Sequence, residues 1–235
     1  MNDLITNAGI IRDFAWYYDN GYITARDGNA AYTENDGVFV VTRSGAIKHE
    51  LDLYQDFIEV DKDLKIIGGG PKKPSIESGA HIAALTQSGK THSVHVHSPN
   101  TVALAELFVS KGMFRPNPDS LIEALMTKWP ELFRYTKVGH VVPFYNPGSQ
   151  KLHDGIISSL GYWGEEPILD PEDKTEVIGI NDVKKWNNIC IMQRHGVLAI
   201  GNSMPECMEH IVRLEHVSTI LLKIVTASGN LESIL

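Results

Sequence analysis

The strands of this chain are not regularly separated by helices, and no other feature limits its fold as much. Residues 22–67 read as short strands and turns with no helix among them. Within them Val38–Thr42 is β-branched and aromatic, with Asp36-Gly37 before it and Ser44-Gly45 after it. Helical spacing lies outside that stretch. Leu4, Ile5, Ala8, Ile11, Ala15 and Tyr18 recur up to Gly21, and Ile76–Ser88 reads as a helix with Ser75 as N-cap and Gly89 as stop. His92–His97 alternates as a strand, and Ser98-Pro99 opens another helix, with Ser98 as cap, ending near Gly112. A short helical stretch near Leu121–Lys128, a strand near Val138–Pro143 and a helix over Ser149–Leu160 follow. Glu176–Ile180, Ile189–Gln193 and Gly196–Ile200 read as strands. The last helix starts with a capping box, Ser203 and Glu206, and its apolar stripe is broad enough to pack against a sheet. The order is that of an α/β chain, and it argues against a doubly wound parallel sheet, in which a helix separates successive strands.

The chain has 235 residues, which fits one globular domain. Its formal net charge is −8 and its pI about 5.7, so it lacks the basic footprint of a nucleic-acid binder or of a protein drawn to anionic membranes. No apolar run is long enough to span a membrane. The first residues carry Asp3 and Asp13 and no basic n-region, so no signal peptide is expected. Cys190 and Cys207 have no metal-ligand spacing and do not make a disulfide framework, so the expected location is the reducing cytoplasm.

Val94-His95-Val96-His97 is the sharpest chemical signal. On a strand, residues two apart share a face at about 6.6 Å, so two imidazoles can converge on one metal ion while the valines pack the other way. His92 has the opposite parity and falls outside the pair. A catalytic metal site wants three protein ligands and an open position. His195, at the end of a strand and followed by Gly196, is the best third ligand, and Glu77 is the best carboxylate, expected in the first turn of its helix. His81 lies one helical turn beyond Glu77 and is read as orienting it or packing. Gln87-Ser88-Gly89-Lys90-Thr91 ends like a phosphate-binding loop, but Ala84 stands where the first glycine is required and the helix ends there instead of starting.

Several segments, in order, resemble the class II (metal-dependent) aldolase/adducin family. They are Asp27-Gly28-Asn29-Ala30, Thr42-Arg43-Ser44-Gly45, Lys73-Pro74-Ser75-Ile76-Glu77 with His81, His95-Val96-His97-Ser98-Pro99, Val142–Ser149 and Gln193-Arg194-His195-Gly196. The resemblance implies a single domain over residues 1–235 with a three-layer α/β/α fold around a mixed, mostly antiparallel sheet. It implies a homotetramer with active sites between subunits, and a divalent metal, usually Zn²⁺ with Mn²⁺, Co²⁺ or Fe²⁺ as other options, on His95, His97 and His195. Glu77 would transfer protons. Gly28, Asn29, Ser44, Gly45 and Ser75 would hold substrate phosphate, and Tyr135, reaching in from a neighbouring subunit, is the candidate acid. Ile76 stands where the family pattern has a second serine, which implies altered phosphate recognition. The expected activity is aldol cleavage of a small phosphorylated sugar, a ketose phosphate, through an enediolate. A decarboxylase, 4-epimerase or dehydratase on the same metal site, or a non-catalytic adducin-like interaction domain, is the alternative. The Pro-Ser-x-Glu setting of Glu77 favours the aldolase.

Overall fold

The computed structural model describes residues 4–35, 37–69, 72–110, 120–163 and 184–230. The expected strand at Glu176–Ile180 lies outside them. Helix α1 (Leu4–Asp19) is followed by four strands: β1 (Asn29–Asn35), β2 (Val38–Thr42), β3 (Phe57–Val60) and β4 (Ile66–Gly68). Then come α2 (Ser78–Ser88), β5 (His92–Val96), α3 (Pro99–Ser110), α4 (Ser120–Lys128), α5 (Pro130–Tyr135) and α6 (Gln150–Leu160). A small hairpin of β6 (Gly161–Trp163) and β7 (Lys184–Trp186), then β8 (Ile189–Met192), β9 (Gly196–Gly201) and the long α7 (Met204–Ser228) complete the order.

Seven strands form one sheet in the order β4-β3-β2-β1-β5-β9-β8, with every neighbouring pair antiparallel. The expected strand near Val138–Pro143 is reduced to two isolated parallel bridges, Val138 to Ile189 and Val142 to Met192, which make the sheet mixed. Pro143, lacking a backbone N–H, stops that ladder.

The sheet is packed on both faces. Val94, Val96, Val197 and Ala199 turn toward α1, α3 and α7 in the larger core. Leu198 and Ile200 turn the other way, onto Ala80 and Ala84 of α2 and Leu152 and Ile156 of α6. The result is the three-layer α/β/α arrangement, and Val94 and Val96 face away from the histidines as the alternation required.

Two helix starts differ from expectation. α2 begins at Ser78, with Glu77 at the N-cap position and making no side-chain cap. Ser75 stands two residues before Glu77, where its hydroxyl accepts from the Glu77 N–H (3.4 Å) and its own N–H goes to Thr42 O (3.1 Å), in a short pairing that also joins Ser44 N–H to Lys73 O (2.9 Å). Ser98 does not cap α3 either; its backbone is left-handed (φ 39°) and its buried hydroxyl has no partner among the described residues. The cap comes from Glu215 of α7. Its carboxylate, 4% exposed, accepts from the N–H groups of Asn100 (2.9 Å) and Thr101 (2.8 Å), the Asn100 amide and the Thr101 hydroxyl. A negative charge at a helix N-terminus is favourable on both hydrogen-bond and dipole grounds. α7 itself keeps its capping box, except that Glu206 accepts from Asn202 N–H instead of closing on Ser203 N–H.

Glu215→Ala should leave those donors buried and unpaired, costing about 2–4 kcal/mol. Urea unfolding should show a lowered midpoint at an unchanged m-value, with Glu215→Gln less affected.

Candidate metal centre

Three antiparallel strands assemble the site. β1 opens with Asn29 paired to His95 of β5, and His95 pairs on its other side with Leu198 of β9. His97 follows just past the end of β5, on the same face as His95, with ring centroids 5.3 Å apart. His195 arrives from the β8–β9 hairpin, 4.7 Å from the His95 ring and 5.6 Å from that of His97. One nitrogen from each of the three imidazoles lies within 4.8 Å of the others, close enough for one ion to gather them with small side-chain movements.

The hairpin works through two unusual backbone positions. Arg194 sits in the left-handed region (φ 57°), where a non-glycine residue is strained, and its guanidinium is tied to Glu106 (2.9 Å). Gly196 leaves no room for a side chain, because a Cβ would lie 2.3 Å from Val96 O and 3.0 Å from the His95 ring. Gly28 is similarly constrained: φ is 78° and a Cβ would stand 2.8 Å from His95 O.

Glu77, 7% exposed, points into the cluster. Its Oε1 is 3.2 Å from His195 Nε2 and its Oε2 is 3.5 Å from His95 Nε2 and 2.7 Å from the Asn29 amide nitrogen. Burial alone would raise its carboxyl. The imidazoles of His95 and His195 and the Asn29 amide outweigh that and hold it at about 2. Burial presses the imidazoles downward, His195 to about 4, so at neutral pH they are neutral beside an ionised carboxylate.

That state has an electrostatic gap. His95 donates its Nδ1 proton to Val197 O (2.9 Å), so neutral His95 presents a bare Nε2 lone pair to the carboxylate. His95 Nε2 and His195 Nδ1 are both buried with no hydrogen-bond partner. The His95 Nε2 lone pair and the Glu77 Oε2 atom 3.5 Å from it repel out of water, and a cation between them removes the repulsion. The residues present therefore fit a divalent metal.

The remaining predicted residues gather at the same end of the sheet. The pairing of Thr42–Ser44 with Lys73–Ser75 puts Ser44 opposite Lys73 and Ser75 opposite Thr42, on neighbouring chain segments, and Arg26 donates to Gly45 O. Asn29 turns its amide to Glu77 and His81. Ile76 is 65% exposed, and Lys72 is held by Gln55. Tyr135 is not drawn into the cluster. It ends α5, packed with α7, and its ring lies 5.2 Å from the Arg213 guanidinium, in the layer across the sheet from Glu77.

Sequence reasoning left Asp27 without a role. Its carboxylate lies 3.4 Å from His97 Nδ1, and it accepts from Thr24, so it can orient that ring as a carboxylate does behind a metal-bound histidine. The signal was the Asp-Gly-Asn string, but only the β1–β5 pairing shows what it faces.

A family model, the class II aldolase and adducin N-terminal domain, matches residues 9–222. A protein of Persephonella marina named methylthioribulose-1-phosphate dehydratase is 30% identical over 214 residues, 90% of this chain and 86% of that protein. One of the same name from Exiguobacterium sibiricum is 32% identical over 106 residues, 44% of this chain, and the match spans only 50% of that protein. Among solved structures, L-fuculose-1-phosphate aldolase from Thermus thermophilus superposes with a TM-score of 0.65 at 21% identity, covering 95% of this chain and 96% of that one.

For the metal-free protein the pKa shifts set the sign of the pH dependence. His195 (about 4) and His81 (about 3) lie below the ordinary 6.5, so the stability they contribute is complete above 6.5 and lost as pH falls through those values. Glu77, lowered from 4.5 to about 2, adds a loss in the same direction at lower pH. Urea midpoints of the metal-free protein should be level between about pH 6.5 and 8, where the next shifted group, Lys48, begins to titrate, and fall steadily below 6.5.

Proposed function

The chain belongs to the class II aldolase and adducin family, and on that premise we propose that it is a divalent-metal-dependent lyase of a phosphorylated ketose, whose leading reaction is loss of water from a methylthioribulose-1-phosphate-type substrate. The observation that carries the reading is the ionised Glu77 carboxylate standing 3.2 Å and 3.5 Å from two imidazole nitrogens of a three-histidine cluster. The Persephonella relative supports dehydration over aldol cleavage, the second reading, which rests on the Pro-Ser-x-Glu setting of Glu77.

His95, His97 and His195 would hold the ion, and a donor set of three imidazoles suits zinc. When bound, it would supply Lewis acidity to a substrate carbonyl. Glu77 takes the proton from the carbon beside that carbonyl and gives it to the hydroxyl of the next carbon, which leaves as water. In the second reading the same carboxylate returns a proton to carbon after a carbon–carbon bond has parted. Burial of Glu77 and His95 keeps bulk water away from the proton in transit. The Ser44 and Ser75 hydroxyls, beside Gly28, Asn29 and Gly45, would receive the phosphate, with the start of α2 favouring an anion. Tyr135 would serve a neighbouring copy in a homotetramer, which its half-exposed position allows. A cytoplasmic location goes with the two reduced, buried cysteines.

The test is turnover by the metal-loaded chain of methylthioribulose 1-phosphate beside a panel of ketose 1-phosphates. Dehydrated product from the first supports the leading reading; dihydroxyacetone phosphate from the panel moves the assignment to aldol cleavage; turnover of neither overturns both. Glu77→Gln should keep the ion yet lose turnover by about 10²–10⁴-fold, whereas His97→Ala should lose the ion itself, as read by metal analysis. Ile76→Ser should tighten phosphorylated substrates by up to about 1.5–3 kcal/mol, the worth of one added hydrogen bond to a charged group. Competition by inorganic phosphate should strengthen in parallel.

A further inference from the structure

Behind Glu77 lies a line of buried polar groups, Asn29, His81 and Ser93, of which the reaction outlined above gives a part only to Asn29, beside the phosphate. The Asn29 NH₂ donates to Glu77 Oε2 at 2.7 Å, which turns its carbonyl oxygen to His81 Nε2. That oxygen accepts only, so His81 must carry its ring proton on Nε2. Nδ1 is then bare, and the Ser93 hydroxyl 2.8 Å away must donate to it. The placement of the Asn29 amide thus fixes the direction of every bond: Ser93 to His81, His81 to Asn29, Asn29 to Glu77. All four groups are buried, with exposures of 0% for Ser93, 1% for His81, 6% for Asn29 and 7% for Glu77. Burial also keeps His81 neutral, at about 3.

The line joins three elements. Glu77 and His81 lie one turn apart at the start of α2, Asn29 opens β1, and Ser93 stands two residues before His95 on the same face of β5. Glu77 stands at the N-cap position of α2 and makes no bond to the free N–H groups there.

We propose that Ser93, His81 and Asn29 are positioning residues that form a one-way hydrogen-bond chain on Glu77. The chain pins Oε2 as an acceptor and leaves Oε1, on the His195 side, as the oxygen that exchanges the proton with substrate. Both nitrogens of His81 are engaged in the chain, so His81 is no metal ligand. The proposal rests on the reading of Glu77 as the base.

The decisive measurement is nitrogen NMR of ¹⁵N-histidine-labelled full-length protein loaded with zinc, with the His81 signals identified by their loss in His81→Gln. The expected result is a neutral ring protonated on Nε2 alone. A ring protonated on Nδ1, or a His81 shifted by metal, overturns the chain. This readout needs no substrate, so it separates failure of the chain from failure of the functional reading. Where substrate turnover is established, His81→Leu should lower kcat by about 10–100-fold with KM and metal content held, and His81→Gln, which keeps a donor toward Asn29, should recover most of it. Equal loss in the two variants, or near-normal kcat in His81→Leu, overturns the positioning role.

Discussion

β5 lies between β1 and β9 with Asn29 opposite His95 and His95 opposite Leu198, and the rest of the site depends on that register. A slip of one residue along β5 would exchange the histidines with Val94 and Val96. Two imidazoles would then enter the apolar core beneath α1, α3 and α7, and two valines would face Glu77. Burial of Val94 and Val96 at 0% exposure makes such a slip costly. Hydrophobic packing on one face of the strand therefore holds the chemistry on the other.

On that foundation the site carries charge in a dry place. Glu77 is ionised among groups that burial keeps neutral, and an isolated buried carboxylate would be expensive. The Asn29 amide supplies one compensation, and the unpartnered imidazole nitrogens mark where a cation supplies another. The same arrangement serves removal of a proton beside a carbonyl or its return, so the elimination of water and the cleavage of a carbon–carbon bond can share one scaffold. The choice between them belongs to groups that touch the far end of the substrate.

Much of the centre was legible in the chain because the relevant rules are local. The two-residue period of a strand placed His95 and His97 on one face and excluded His92, which instead stacks on Tyr32. A histidine ahead of Gly196 pointed to His195. Asp27, the cap on α3 and the fate of Tyr135 were not legible. Glu215 reaches Thr101 across 114 residues, and nothing near either position announces the other. Ser98-Pro99 has the local form of a cap, but a carboxylate carries full charge to the helix start and a hydroxyl does not.

By itself the sequence determined the strand and helix periods, the face each histidine would occupy, and the stop at Gly89, whose φ of 70° a glycine adopts without strain. Each depends on neighbours a few residues away. Only the tertiary structure decided where the Glu77 carboxylate points. Its backbone stands at a helix N-cap, beside the free N–H groups of α2. The Asn29 amide and the imidazoles of His95 and His195, brought from β1, β5 and the β8–β9 hairpin, draw it into the cluster instead. A charge buried out of water follows the field of all its neighbours in space, and those neighbours are in place only once the chain has folded.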